Sequence, residues 1–366
     1  MINVLPVIDH PYGERQRQFA KLLLEAKLPA AVLTHLPNIR YLTGFTGSNG
    51  LLLLGEGVPL LFTDPRYDVQ AREEAATVRV KVTKTALWKA VSAVAKSRKW
   101  KRIGAESSRL SHATWMELSL EASPLKLNPI DGLVERLRTV KSAPEIEAMR
   151  LSARTCGEAY ESTVKRLKPG ASENDVAAEL EYQMRRRGAE GASFDTIVAA
   201  GARAALPHAR PTAVKLEPNQ LVLVDMGASR NGYASDMTRM FALGDPGSGP
   251  RRWHKAVLEA QLAALHAVRP GVTAGSVDRV ARRVLKRWKL DGAFTHSTGH
   301  GLGLEIHEAP RLGRKDETVL EEGMVITIEP GVYLEGEGGV RIEDTVLVTA
   351  TGADILTPVS KELLVI

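Results

Sequence analysis

The sequence predicts two domains, an α/β domain followed by an α+β domain that contains an internal repeat. The chain has 366 residues, of which 44% are hydrophobic, and this length exceeds what one hydrophobic core usually serves. Short apolar runs alternate with helical patterns in the first third. Two similar helical segments, each followed by a strand pair, occupy the remainder. We therefore place the domain boundary between residues 1–134 and residues 135–366.

Short apolar runs predict the strands of the first domain, with helical segments between them. Alternation of this kind is typical of an α/β layer. A long helix is then expected after Ser142-Ala-Pro-Glu145, because Ser and Glu complete a capping box and Pro suits the first turn. The predicted strands are AAVLT (30–34), LLLL (51–54), PLLFTD (59–64) and VRVKV (78–82).

The second domain contains two segments, residues 168–192 and 269–293, that align without gaps. Both begin with Lys or Arg followed by Pro-Gly, and both end with Gly-Ala. Each places apolar residues on one helical face and precedes a strand pair that carries two acidic residues. We interpret the pair as a duplicated unit, which predicts internal pseudo-two-fold symmetry.

The strand pair after the first copy carries Asp225 and Asp236. Asn231-Gly232 is typical of a two-residue hairpin turn, and this turn pairs position 230 with 233 and position 227 with 236. Asp225 then lies two residues along the strand from the partner of Asp236, on the same face. The two carboxylates are expected to be diagonal neighbours, roughly 7 Å apart at the backbone.

The strand pair after the second copy carries Glu329 and Glu343. Counting from the loop centre at Gly336 places these glutamates level, although the longer loop leaves room for a slip in register. Four inward carboxylates cannot all stay ionised in a buried cleft, because like charges and desolvation raise their pKa values. Two divalent cations would balance them, so the sequence predicts the site of a two-metal hydrolase.

The segment HSTGHGLGLEIHEAP (296–310) holds three of the nine histidines. A His-Glu-x-x-His zinc motif fails after His307, because Arg311 occupies its last position. His296 and His300 are four apart, but the surrounding glycines disfavour a helix. His300 is the best single nitrogen ligand, because glycines allow close backbone approach. A hydrogen-bonded structural histidine remains the alternative for His296 and His307.

The composition excludes several other classes of protein. The single cysteine, Cys156, excludes a disulfide framework and a zinc site built on cysteine pairs. No signal-peptide pattern or membrane-length apolar window occurs, so we expect a cytoplasmic protein with no membrane partner. The net charge is +6, but the basic runs at 96–102, 184–188 and 282–289 are dispersed. They indicate solvated helix faces, and we expect no nucleic-acid partner.

The acidic residues and one histidine, in their order along the chain, resemble the five-ligand dinuclear site of the pita-bread metallopeptidases, which include aminopeptidase P, prolidase and methionine aminopeptidase. This resemblance implies a creatinase-type N-terminal domain, which methionine aminopeptidases lack, followed by a pita-bread catalytic domain. The phrases that carry it are VDMGASRNGYASDMTR, HSTGHGLGLEIHE, TIEPGVY, GGVRIEDT, NIRYLTGFTGS and TDPRY.

The resemblance assigns the five ligands to two divalent cations. Asp225 and Glu343 would bridge both ions, Asp236 would complete one site, and His300 with Glu329 would complete the other. Ligands rich in carboxylate with one imidazole favour hard or borderline ions. We expect Mn²⁺ first, with Co²⁺, Zn²⁺ or Fe²⁺ as alternatives.

The resemblance also implies roles for residues around the cations. Glu329 would act as the general base, and His307 would stabilise the tetrahedral intermediate. His208 would bind substrate and assist proton transfer, and His296 would line the pocket for proline. Arg341 would orient a ligand carboxylate. The expected partners are a proline-containing peptide as substrate and a second copy of the chain in a homodimer.

Two peptidase specificities share all these residues. An aminopeptidase P removes the first residue from Xaa-Pro peptides, whereas a prolidase splits only Xaa-Pro dipeptides. The phrases LPHARPT and GGVRIEDTVLVTATG resemble compact bacterial aminopeptidases P, which is the activity we expect. The alternative, a prolidase, needs a cation for the free proline carboxylate, which Arg203, Arg210 or Arg311 would supply. A metal-free creatinase or a non-catalytic binding protein is a distant alternative, because all five ligands are present.

Overall fold

The structure, a computed structural model, describes residues 12–167 and 170–366 and divides into two compact units, Met1–Arg138 and Thr139–Ile366. The division lies at the last residue of the helix Leu133–Thr139, whereas the boundary expected from the sequence falls inside that helix. The prediction that no signal peptide is present concerns residues 1–18, of which residues 1–11 lie outside the described residues. So does Lys168-Pro169, which starts the first repeat copy.

The first unit contains one mixed six-stranded sheet in the order β4-β3-β2-β1-β5-β6. Its strands are β1 (Ala30–Leu33), β2 (Leu51–Gly55), β3 (Leu60–Thr63), β4 (Arg79–Val82), β5 (Arg102–Glu106) and β6 (Lys126–Ile130). Its helices are α1 (Tyr12–Glu25), α2 (Leu36–Thr43), α3 (Asp68–Glu74), α4 (Leu87–Ser97), α5 (His112–Ala122) and α6 (Leu133–Thr139). The four strands predicted from apolar runs are present, and the α/β class of this domain is confirmed.

Burial explains why the first sheet forms where the apolar runs occur. Val32 on β1, Leu53 on β2 and Ile103 on β5 share one core with Val91 on α4 and Leu118 on α5. Strand β1 is buried along its whole length, as expected for a central strand covered on both faces. The continuous apolar runs therefore mark the middle of the sheet.

The second unit contains the repeat and most of the strands. Its helices are α7 (Ala143–Val164), α8 (Glu173–Arg186), α9 (Ser248–Ala267) and α10 (Ala274–Arg287). Its strands are β7 (Gly191–Ala192), β8 (Ile197–Ala200), β9 (Gln220–Met226), β10 (Ala228–Arg230), β11 (Tyr233–Ala234), β12 (Met237–Leu243), β13 (His300–Gly301), β14 (Glu308–Arg311), β15 (Val325–Ile328), β16 (Gly331–Leu334), β17 (Gly338–Arg341), β18 (Asp344–Thr349), β19 (Gly352–Ile355) and β20 (Leu364–Val365).

The larger sheets of this unit run β20-β12-β9-β8 and β14-β13-β15-β18-β19, and smaller pairings join β11-β10-β7 and β16-β17. Helix α7 begins where the capping box predicts, with the Ser142 backbone nitrogen donating to Glu145 Oε2 at 2.9 Å. Over the two described segments, every helix is too short or too polar to cross a lipid bilayer.

The two repeat copies form equivalent structures. Helices α7 and α8 share a core with β9 and β12, and helices α9 and α10 share a core with β15 and β18. The residue before each repeat helix forms an isolated antiparallel bridge, Ser172 with Lys215 and Thr273 with Val319. These equivalent contacts confirm the internal pseudo-two-fold symmetry.

One buried arginine joins the strands of the two halves. Arg239 on β12 is 2% exposed, and its guanidinium donates to Asp344 Oδ1 on β18 at 2.7 Å. The same group donates to the carbonyl oxygen of Glu343, to that of Val359 at 2.8 Å and to that of Ser360 at 2.9 Å. A planar guanidinium with five donors suits this convergence of acceptors.

Replacing Arg239 with Met is therefore expected to lower the free energy of unfolding of the second unit by roughly 3 kcal/mol or more, because buried acceptors lose their donor. Chemical denaturation followed by tryptophan fluorescence measures the change. Arg251→Met is the control, because Arg251 is exposed and pairs with exposed Asp245. It should stay within about 0.5 kcal/mol of the wild type. Equal stabilities for the two variants would contradict the role given to Arg239.

Candidate active site

The first acidic pair lies in the predicted register. Arg230 pairs with Tyr233, and Asp225 pairs with Thr238. Both pairings keep the register that the two-residue turn predicts, so Asp236 lies opposite position 227. The two turn residues, at positions 231 and 232, have φ values of 52° and 78°, as a type I′ turn requires. The turn chemistry therefore brings Asp225 and Asp236 to one face of neighbouring strands.

The second acidic pair also lies in the predicted register. Ile328 pairs with Asp344, and Gly331 pairs with Arg341, so both pairings are centred on Gly336. Glu329 and Glu343 are consequently level. No slip occurs in the longer loop, because the flanking strands β15 and β18 continue the same count over four pairs.

His300 joins the two acidic pairs. Its Nε2 atom lies 3.6 Å from Asp236 Oδ2 and 3.5 Å from Glu329 Oε1. Its Nδ1 atom lies 3.0 Å from the carbonyl oxygen of Gly301, so Nδ1 carries the proton and Nε2 presents a lone pair to the carboxylates. One ligand atom each from Asp236, His300 and Glu343 lie within 4.8 Å of one another. Such a spacing is suited to a metal ion.

Hydrogen bonds orient the remaining carboxylates. Arg341 NH2 donates to Asp225 Oδ2 at 2.6 Å, and Arg341 Nε donates to Thr238 Oγ1 at 3.0 Å. Thr238 Oγ1 in turn donates to Glu343 Oε2 at 2.7 Å. Asp225 Oδ1 is buried and has no hydrogen-bond partner among the described residues. A buried carboxylate oxygen without a donor is the position that a cation would satisfy.

The electrostatics of the cluster also fit cations. Burial raises the pKa of Asp236 well above its usual range, and the charges of Glu343 and Asp225 raise it further. Burial, followed by the charge of Glu329, raises the pKa of Glu343, and burial raises the pKa of Glu329 to about 7. Burial lowers the pKa of His300, which keeps the imidazole neutral and able to coordinate. Divalent ions would hold these carboxylates in their ionised form.

All nine predicted site residues line one cavity of about 710 Å³, which lies within the second unit. Besides the five acidic and imidazole groups of the cluster, the lining includes His208, His296, His307 and Arg341. Phe194, Ile197 and Ile306 supply apolar surface. A polar cluster at one side of a partly apolar cavity is typical of a small-molecule or peptide site.

The histidines of this cavity differ in their hydrogen bonds. His296 Nδ1 lies 2.8 Å from the carbonyl oxygen of Ser297, and His296 Nε2 lies 2.8 Å from the hydroxyl of Tyr333. Burial lowers the pKa of His296 to about 4, so its ring is neutral. His208 and His307 are exposed and have no hydrogen bond to a described residue. The ring of His307 packs edge-on against His300, with centroids 4.5 Å apart.

Of the three arginines considered for the proline carboxylate, the structure places two at the cavity. Arg210 and Arg311 line it, and neither forms an ion pair with a described residue. Arg203 does not line it, because its Nε atom lies 3.0 Å from both carboxylate oxygens of Glu173 on α8. The suggested role for Arg203 is therefore wrong, and this residue fixes the loop before His208.

Tyr333 is a further residue of this site that the sequence did not predict. Its hydroxyl accepts from Arg341 NH1 at 2.7 Å and donates to His296, so one side chain connects the arginine on Asp225 with the histidine in the cavity wall. Tyr333 lies within TIEPGVY and alternates with Val332 on β16. This alternation places it on the polar face, which was the available signal.

Comparison with known proteins agrees with this geometry. Residues 147–350 match the model of "Metallopeptidase family M24", and residues 15–140 match that of the "Creatinase/Prolidase N-terminal domain". The chain belongs to metallopeptidase family M24. The Xaa-Pro dipeptidase of Pyrococcus furiosus is 37% identical over 353 residues, which cover 96% of this M24 metallopeptidase and 99% of the relative. The creatinase-type first domain and the pita-bread second domain are thereby confirmed.

Solved structures of M24 relatives superimpose over nearly the whole chain. The structure of the Xaa-Pro dipeptidase from Bacillus anthracis has a TM-score of 0.94 at 36% identity and covers 97% of this chain and 100% of its own. The X-Pro aminopeptidase from Thermotoga maritima MSB8 has a TM-score of 0.87 at 35% identity, with coverages of 93% and 99%. Dipeptidases and prolidases outnumber aminopeptidases among these similar proteins. The comparisons therefore support the dipeptidase alternative better than the aminopeptidase P expectation.

The metal cluster leads to a direct test. We expect Asp236→Asn to lower the divalent metal content of the protein, because the amide removes a charge from a buried ligand. After incubation with Mn²⁺ and desalting, the number of Mn²⁺ ions per chain, measured by mass spectrometry of the metal, should fall from two in the wild type to one or fewer in the variant. Asp245→Asn is the control, since Asp245 is exposed and lies outside the cavity. Equal metal content in the two variants would contradict the assignment of Asp236.

Proposed function

We propose that this M24 metallopeptidase is an Xaa-Pro dipeptidase, which hydrolyses the single peptide bond before proline in a free dipeptide. The observation that carries the proposal is the cavity that combines the metal-binding cluster with Arg210 and Arg311. A dipeptide ends in the carboxylate of its proline, and unpaired guanidinium groups suit that carboxylate. The numerous dipeptidases among the relatives support the same specificity.

The proposed cofactor is a pair of divalent cations, with Mn²⁺ preferred over Co²⁺, Zn²⁺ or Fe²⁺ because most ligands are carboxylate oxygens. Asp225, Asp236, His300, Glu329 and Glu343 would hold them, and the unpartnered Oδ1 of Asp225 supports this fit. When bound, the cations polarise the scissile carbonyl and acidify the attacking water.

Three side chains of the cavity would move or hold protons in this reaction. Glu329 lines the cavity and would accept a proton from the attacking water and deliver it to the leaving proline nitrogen. His307 and His208 are exposed in the cavity and make no hydrogen bond to a described residue. Their ring nitrogens are therefore available to the substrate, for stabilising the tetrahedral oxygen and assisting proton transfer.

His296 would have a different role, because both its ring nitrogens are already occupied by Ser297 and Tyr333. Its neutral ring would contact the substrate through shape and apolar surface and would not donate a proton to it. The residue after the scissile bond is proline, whose backbone nitrogen carries no hydrogen, so the pocket around it needs no hydrogen-bond acceptor for that nitrogen. A histidine held as a wall is consistent with a pocket for the pyrrolidine ring.

The aminopeptidase P activity expected from LPHARPT is the second candidate, and the similar X-Pro aminopeptidase from Thermotoga maritima favours it. A longer peptide continues beyond proline and therefore presents no carboxylate to Arg210 and Arg311. Substrate length consequently separates the two candidates. On the family resemblance we also propose a homodimer, which sedimentation velocity tests.

We expect an Xaa-Pro dipeptide to be hydrolysed with a higher kcat/KM than its C-terminal amide or an Xaa-Pro-Yaa tripeptide. The double variant Arg210→Gln/Arg311→Gln should raise KM for the dipeptide by about tenfold or more, because charge-assisted hydrogen bonds to the carboxylate are lost. The amide lacks that carboxylate, so its kinetics should change little. Steady-state measurements on the Mn²⁺-loaded enzyme give these values.

The control is Lys315→Gln, which removes one exposed positive charge outside the cavity and should leave the dipeptide kinetics unchanged. Faster cleavage of the tripeptide than of the dipeptide would identify an aminopeptidase instead. Equal effects of the arginine variant on dipeptide and amide would show that the two arginines do not recognise the carboxylate.

A further inference from the structure

A second cavity, of about 460 Å³, lies beside α10 and is lined mainly by cations. Arg279, Arg282, Arg283 and Lys286 come from the helix, and Arg314 comes from the loop after β14. The basic run at 282–289 predicts a solvated helix face, and Arg283 and Lys286 are indeed exposed. The structure adds that part of this run converges with residues from outside it.

The helix geometry explains the convergence. Positions 279, 282, 283 and 286 follow the spacing that places side chains on one helical face. The opposite face is apolar and buried, with Val277, Ala281 and Leu285 in the core. The loop is held against the helix, because Arg279 NH1 donates to the carbonyl oxygen of Arg314 at 3.2 Å. Cations from the helix and the loop therefore face one space.

Most of these charges are uncompensated. Among the described residues, Arg279, Arg283, Lys286 and Arg314 form no ion pair, and Asp291 is the one carboxylate in the lining. Like charges three or four residues apart on a helix are unfavourable. A multiply charged anion in the cavity would relieve this repulsion.

Arg282 forms a rigid part of the lining. Its side chain is 14% exposed and is held by Asp278, with Nε 2.7 Å from Oδ2 and NH2 3.1 Å from Oδ1. It also donates to the carbonyl oxygen of Phe294 at 3.0 Å and to that of His296, and its guanidinium lies 4.1 Å from the Phe294 ring centre. Because its charge is paired and each of its guanidinium nitrogens already donates within the chain, Arg282 fixes the wall of the cavity, and the four cations without an ion pair to a described residue remain for an anion.

We propose that this cavity binds a compact chain of phosphates, either inorganic or part of a nucleotide. Guanidinium and ammonium groups are the side chains that bind phosphate oxygens best. The first and last helix cations, Arg279 and Lys286, are seven positions apart, a rise of roughly 10 Å, which exceeds one phosphate and matches a chain of them. The volume lies in the range of small-molecule sites.

Isothermal titration calorimetry at physiological salt tests the proposal with the Mn²⁺-loaded enzyme and inorganic tripolyphosphate, pyrophosphate and orthophosphate. We expect the affinity to fall in that order, because shorter anions reach fewer cations. Arg283→Gln/Lys286→Gln should weaken tripolyphosphate binding by about tenfold or more. Both side chains are exposed, so the variant should keep the wild-type Tm.

The matched control is Lys255→Gln/Lys289→Gln, which removes two exposed charges outside the cavity. It should bind tripolyphosphate like the wild type, and any heat from chelation of Mn²⁺ is common to both variants. Tighter binding of ATP than of tripolyphosphate would identify a nucleotide as the ligand, and equal binding would identify the inorganic chain.

Three results would overturn the proposal. They are equal weakening in the two double variants, the absence of any order among the phosphates, and binding of single-stranded RNA without binding of tripolyphosphate. The first and third would show a general effect of positive charge. The calorimetric experiment does not measure peptidase activity. A negative result would therefore contradict the phosphate site without contradicting the proposed dipeptidase function, which the kinetic assay tests separately.

Discussion

The repulsion among four buried carboxylates is the constraint on which the arrangement of the second unit depends. Asp225 and Asp236 come from the hairpin of the first repeat copy, and Glu329 and Glu343 come from that of the second. Burial and the charges of the neighbouring carboxylates raise the pKa values of Asp236 and Glu343, so the apoprotein stabilises their charged forms only in part. Arg341 and Thr238 donate to carboxylates of the opposite half, and Thr327 donates to Glu329 within its own half.

This exchange between the halves is reciprocal. Arg341, in the second half, donates to Asp225 in the first, and Thr238, in the first half, donates to Glu343 in the second. The neighbouring positions in sequence, Arg239 and Asp344, form a further contact between the halves, a buried ion pair. Because side chains alternate along a strand, Thr238 on β12 serves the charged cluster while its neighbour Arg239 forms this compensated ion pair. The cluster keeps uncompensated charge for cations, while the ion pair stabilises the strands that carry it.

Much of this arrangement could be predicted from the sequence, because local chemistry determines it. Asn231-Gly232 determines one register, and a symmetric count about Gly336 gives the other. The role of Arg203 could not be predicted, because its partner Glu173 lies thirty residues away on another element. The same holds for the cationic cavity, in which Arg314 meets the basic face of α10 only in the folded chain. Periodicity shows which face a residue occupies, but it does not show what packs against that face.

The three histidines of residues 296–310 illustrate how tertiary contacts divide chemically identical side chains. His296 has both ring nitrogens occupied and a pKa lowered to about 4, so it cannot exchange protons with a substrate near neutral pH. His300 has one nitrogen occupied and directs the other at two carboxylates. His307 has no hydrogen bond to a described residue and faces the cavity. The number of ring nitrogens that form hydrogen bonds within the protein therefore determines whether each histidine lines the pocket, binds a metal or is available to the substrate.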